Sequence, residues 1–135
     1  MLQNIDHIGI VVRDIESSKR FYTETLGLAI CGLEQVKSQK VAIAFLPVGD
    51  VNVELVTPTN PRSAVAKFLR DRGPGFHHIA YQVDDLELAV RRLREQGVPL
   101  VNPAPQEGPH NRLTVFLHPD AADGVLIQLV QDRDG

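Results

Sequence analysis

A chain of 135 residues with 43% hydrophobic content is long enough to bury a core of its own. Its formal net charge of −3 provides neither the basic footprint of a nucleic-acid binder nor a polybasic membrane patch. The single cysteine, Cys31, excludes an internal disulfide and any multi-thiolate zinc site, and the lack of tryptophan argues against base- or sugar-stacking platforms. Met1-Leu2-Gln3 leads straight into a strand pattern, and no secretory leader or long apolar run is seen, so a soluble cytoplasmic protein is expected.

Residues 4–12 are rich in Ile and Val with polar residues on one parity, which predicts a strand. His7 shares a face with Ile5, Gly9 and Val11, while Ile8, Ile10 and Val12 take the other. Asp14 is placed to cap a helix, with Glu16 in its first turn and an apolar stripe of Ile15, Phe21, Tyr22 and Leu26 before Gly27. Residues 28–36 are a weaker strand candidate, and 40–47 a clearer one. Gly49-Asp50 turns the chain into a strand from Val51 to Val56, where Asn52 and Glu54 face away from Val51, Val53 and Leu55. Past the breaker-rich segment 57–61, Pro61 fits the first position of a short helix burying Val65, Phe68 and Leu69, which Gly73-Pro74-Gly75 ends.

Phe76–Val83 then predicts a strand, and Asp84-Asp85 cap a helix with Leu86, Ala89, Val90 and Leu93 at i, i+3, i+4 and i+7, ended by Gly97. Val98–Val101 begins a further strand, 103–109 reads as a loop, and Leu113–Leu117 and Val125–Val130 are the last two strands.

The second half repeats the first. His7, Ile8, Val12, Asp14 and Glu16 recur 71 residues on as His78, Ile79, Val83, Asp85 and Glu87, and Phe45-Leu46 recurs as Phe116-Leu117. Val51–Val56 recurs 74 residues on as Val125–Val130, so Glu54 falls on Gln128. The expected class is α+β, with two tandem βαβββ modules forming a curled mixed β-sheet with helices outside. One domain spans residues 1–135, with module one at about 1–60 and module two at about 73–135.

Each module thus supplies a histidine on its first strand and a Glu or Gln on its last. Paired side by side, the modules would bring His7, Glu54, His78 and Gln128 toward one centre. Two imidazoles, a carboxylate and an amide oxygen suit Zn, Co, Ni, Mn or Fe as divalent ions and leave positions open for water or substrate. His77 is expected to face away as packing or surface, and His118, before Pro119, to cap a turn. His110 and Arg112 are candidates for contacting a substrate phosphate or carboxylate.

The repeated modules, His7 in Asp-His-Ile-Gly-Ile, Glu54 in Val-Glu-Leu-Val, His78 in His-His-Ile-Ala and the closing Gly-Val-Leu-Ile-Gln-Leu resemble the vicinal oxygen chelate superfamily. That superfamily groups glyoxalase I, extradiol dioxygenases, drug-resistance proteins and methylmalonyl-CoA epimerase. Segments 44–50, 64–69, 75–80, 83–85 and 116–119 make the epimerases the most similar branch. The resemblance implies a divalent metal, cobalt being favoured over Ni, Mn or Zn, held by His7, Glu54, His78 and Gln128. It also implies an acyl-CoA thioester substrate, epimerised through a metal-stabilised enolate, and a homodimer. A glyoxalase I-like lyase acting on a glutathione thiohemiacetal, an iron dioxygenase and a non-catalytic small-molecule binder are the alternatives.

The chain also departs from that pattern. Relatives usually place a glutamate on the last strand, where this chain has Gln128, whose amide does not hold a proton at neutral pH. The third-strand carboxylate of some epimerases falls near the apolar Ile43. Glu54 is then the one catalytic base among the four expected ligands, with Glu34, Glu107 and His110 as candidates for a second proton carrier.

Overall fold

The computed structural model describes residues 1–133. Two copies of a strand–helix–three-strand order are joined by an extra helix. The first copy is β1 (Leu2–Val11), α1 (Ile15–Arg20), β2 (Gly32–Val36), β3 (Val41–Val48) and β4 (Val51–Pro58). The connecting helix is α2 (Ala64–Arg72), and the second copy is β5 (Gly75–Val83), α3 (Leu86–Glu95), β6 (Gln106–Gly108), β7 (Arg112–Leu117) and β8 (Ile127–Asp132). The α+β class and the duplicated module are therefore as expected.

The chain forms two compact units, His7–His77 on one hand and Met1–Asp6 with the chain from His78 onward on the other. Within the first, the strands run in the order β2-β3-β4-β1. β4 pairs parallel with β1 and antiparallel with β3. Helix α1 lies over the face that carries Val12, Ala44, Leu46 and Leu55, through Ile15. The other face carries Val11, Ile43, Phe45 and Val56, against which Val65, Phe68 and Leu69 of α2 pack. Ser63 caps α2 by accepting the Ala66 N–H at 3.0 Å. The helix accordingly begins at Ala64, three residues after Pro61, because a hydroxyl cap satisfies an end donor that Pro61 cannot.

The second unit repeats this arrangement in the order β5-β8-β7-β6. Leu86, Ala89, Val90 and Leu93 of α3 pack on Val83, Val115, Leu117 and Leu129. Asp85 caps α3 by accepting the Leu88 N–H at 3.0 Å, and Gln131 Oε1 on β8 accepts the Leu86 N–H at 2.6 Å. Asp14 caps α1 in the same manner, accepting the Glu16 N–H at 3.2 Å.

Three further local expectations are corrected. After Arg20 the helix widens into a π-helical turn, Phe21–Thr25, in which the Leu26 N–H reaches back to the Phe21 carbonyl. The wider turn rotates Leu26 off the apolar stripe, leaving it 54% exposed, and Phe21, where the turn begins, is 53% exposed. Val98–Val101 forms only an isolated bridge, Leu100 to Leu117. The edge strand is instead Gln106–Gly108, inside the proline-rich segment read as loop, paired with Arg112–Thr114. Among the described residues, no helix is long and apolar enough to cross a membrane.

Candidate metal centre

In each unit the face opposite the module's own helix carries the candidate site residues. His7, Gly9 and Val11 are buried on β1, alternating with half-buried Asp6, Ile8 and Ile10. On β4 the parallel register sets Gly9 opposite Glu54, so His7 lies two residues, one pleat repeat, from that carboxylate on the same face. Its Nδ1 stands 3.1 Å from Glu54 Oε2, with His7 and Glu54 each 3% exposed. An imidazole nitrogen and a carboxylate oxygen facing each other at this distance, away from water, share a proton or a cation.

The second unit reproduces the register. Ala80 lies opposite Gln128 on β8, again two residues beyond the histidine, His78. His78 and Gln128 are both buried. The Phe116 ring stands edge-on to the His78 ring at 5.5 Å, and Phe116 pairs with Gln128 across β7 and β8, as Phe45 pairs with Glu54 across β3 and β4. Asn102 Oδ1 accepts the Phe116 N–H at 3.0 Å and holds that strand in place.

Gln128 Oε1 is buried and has no hydrogen-bond partner among the described residues. Leaving a buried amide oxygen unsatisfied costs about 1–3 kcal/mol. A cation coordinated by that oxygen would remove the cost. In the other unit, the His7–Glu54 pair is likewise donor chemistry that a borderline divalent ion takes, an imidazole nitrogen with a carboxylate oxygen. The residues therefore fit a divalent metal. Asp6, next to His7 in β1, is near enough to count as a donor. Its carboxylate, however, is already held by Arg112.

That contact gives Arg112 a defined task. Its Nη1 donates to Asp6 Oδ2 at 2.8 Å, its Nη2 to Asp6 Oδ1, and its Nε to Asp132 Oδ1 at 2.7 Å. The Arg112 and Asp6 side chains are 13% and 12% exposed. Burial works against the guanidinium charge, but the hydrogen bonds and charges of Asp6 and Asp132 outweigh it and raise its pKa. Sequence reasoning had no signal for this clamp, because its partners lie 106 residues apart.

The remaining histidines are placed as follows. His77 packs edge-on against Phe68, centroids 4.9 Å apart, and burial together with the Arg72 charge lowers its pKa to about 4. His118 Nδ1 accepts the Asp120 N–H at 3.1 Å and so caps its turn. His110 is exposed, in the tight turn between β6 and β7, with φ of 59°.

Two matched modules each present a buried histidine and a buried polar oxygen in the same register, the mark of a duplicated fold. The chain belongs to the glyoxalase/bleomycin resistance protein/dioxygenase superfamily, whose family model matches residues 6–116. Within it, the chain is epimerase-like. It is 32% identical to an ethylmalonyl-CoA/methylmalonyl-CoA epimerase of Cereibacter sphaeroides, over 97% of this chain and 99% of that one. The structure of methylmalonyl-CoA epimerase from Mycobacterium tuberculosis superposes with a TM-score of 0.91 at 38% identity, covering 97% of this chain and 89% of the other. A variant of the Streptomyces coelicolor methylmalonyl-CoA epimerase, in complex with 2-nitronate-propionyl-CoA, superposes with a TM-score of 0.94 at 34% identity, covering 98% and 99%.

Proposed function

We propose that this chain is a divalent-metal-dependent epimerase of an acyl-CoA thioester, methylmalonyl-CoA first among the candidates. The observation that carries the reading is the end-to-end likeness, above 30% identity, to epimerases of that substrate class. In this reading His7, Glu54, His78 and Gln128 hold the ion, and cobalt, nickel, manganese and zinc all suit the donors. A bound divalent ion supplies Lewis acidity, which stabilises the negative charge that develops on a thioester when its C2 proton leaves.

The chain's own residues do the rest. Glu54, buried beside His7, is the base that takes the C2 proton. The amide of Gln128 positions but holds no proton. His110, exposed in the turn before β7, contacts a phosphate or carboxylate of the substrate. Arg112 acts as a positioning residue, since its guanidinium is engaged by Asp6 and Asp132. A homodimer belongs to the same proposal, and light scattering on the purified protein tests it.

Deuterium exchange is the direct test. Methylmalonyl-CoA in D2O, with cobalt, nickel, manganese or zinc supplied, should gain deuterium at C2 and interconvert its epimers. No exchange with any of the four metals would refute the reading. Turnover of the methylglyoxal–glutathione adduct in its place would favour the glyoxalase alternative.

A further inference from the structure

Interconverting two epimers requires a proton to leave one face of C2 and another to arrive on the opposite face. Two carriers do this when each serves one face. Among the four donor residues Glu54 is the one carboxylate, and position 43, on the third strand, holds an isoleucine. The strand beside it supplies the missing group.

In the antiparallel β2–β3 ladder, Glu34 lies directly opposite Ile43. In the β3–β4 ladder, Ile43 lies opposite Val56 and Phe45 opposite Glu54. Directly paired residues share a face, so Glu34, Ile43, Phe45 and Glu54 all point to the same side of the sheet. Glu34 is two strands across and one pleat repeat along from Glu54. That places their Cα atoms about 12 Å apart, from strand spacings of about 4.8 Å and a two-residue rise of about 6.8 Å. Two glutamates on one face with such a gap can flank a substrate carbon held between them.

The local pattern is also inverted relative to what burial alone favours. On β2, Leu33 and Gln35 are exposed, Leu33 at 60%, while Glu34 and Val36 turn inward. A one-residue shift of register would hide Leu33 and hydrate the acid. The fold instead keeps the leucine in water and the carboxyl on the side of the sheet that carries His7 and Glu54.

We propose that Glu34 is the second proton carrier, serving the face of C2 opposite Glu54 in place of an acid at position 43. This rests on the epimerase reading above. In one direction the Glu54 carboxylate takes the C2 proton, and the C–H electron pair moves onto the thioester oxygen. The protonated Glu34 then delivers its proton to the other face of C2, and the C=C electrons return to form the new C–H bond. Glu54 is left protonated and Glu34 ionised, and exchange of one proton each with water restores the starting state.

The test separates proton loss from inversion. Each epimer is incubated separately with metal-loaded protein in D2O, and both C2 deuterium and epimer ratio are followed. The wild-type protein should exchange and invert both. Glu34→Gln, which keeps the shape and removes the proton, should invert about 100-fold or more slowly. It should still exchange deuterium into the one epimer that Glu54 deprotonates, with retained configuration, and Glu34→Asp should recover part of the inversion. Near-wild-type inversion by Glu34→Gln would overturn the proposal, as would equal loss of exchange from both epimers in a variant that melts and retains metal like the wild type. A wild-type protein that exchanges neither epimer would instead defeat the epimerase reading itself.

Discussion

The Arg112 clamp makes a prediction that separates a positioning role from a substrate-binding one. Arg112→Met keeps much of the apolar stem and removes three donors. Two of these serve Asp6, which is 12% exposed, and the third serves Asp132, which is 49% exposed. Breaking a buried pair by removing one partner costs about 3–5 kcal/mol, because a charge is left unpaired. The solvated Asp132 contact adds at most about 1 kcal/mol. Arg112→Met should therefore lower the free energy of unfolding in urea by about 3 kcal/mol, with an unchanged slope. Asp6→Asn on its own should be destabilising, yet in the Arg112→Met background it should recover part of the loss by removing the orphaned charge. If Arg112 were instead a substrate contact, the variant would keep its urea midpoint and show a raised KM. That result would refute the clamp.

Two further expectations follow from single residues. The fold holds His77 neutral down to about pH 4, whereas the unfolded chain protonates it near 6.5, so stability should fall as pH drops through that window, by about 3 kcal/mol in all. On metal-free protein His77→Gln should flatten this slope, and an unaltered slope would contradict it. Gln128→Glu should tighten divalent-metal binding more than tenfold in calorimetry while lowering the metal-free melting temperature, because it replaces an unsatisfied amide oxygen with a buried charge. Unchanged affinity would remove Gln128 from the donor set.

Much of the fold was legible because its signals are local and said twice. Asp14 and Asp85 cap helices in both halves, Gly27 and Gly97 adopt positive φ after them, and the i, i+3, i+4, i+7 spacing from Leu86 to Leu93 describes the buried side of α3. The errors fall where a local rule met a competing contact. Counting at 3.6 residues per turn misplaced Leu26, because a π-helical turn inserts a residue that periodicity does not reveal. Gln106–Gly108 hid among prolines because a three-residue edge strand is defined by its partner, and Gly108 marks the closest approach. A Cβ at Gly108 would stand 2.6 Å from the Thr114 methyl group. Arg112 could be seen as a cation but not as a clamp, since Asp6 lies at the far end of the chain.

The candidate site shows how far duplication goes and where it stops. Both halves place a histidine two residues before the position facing the last-strand polar residue, and both set a phenylalanine across from that residue. The backbone has kept the symmetry, but the side chains have not: one half ends in a carboxylate and the other in an amide. An amide donor lowers the negative charge around a bound cation, which strengthens the attraction for an anionic substrate. It also removes a proton carrier from one half of the donor set. A reaction that must serve both faces of one carbon then has to draw its second acid from outside the set. On the face that bears Glu54, the cross-strand neighbour of Ile43 is an inward-turned glutamate on an edge strand whose leucine has been left in water. In the proposed epimerase the asymmetry at Gln128 and the inverted pattern at Glu34 are parts of one chemistry.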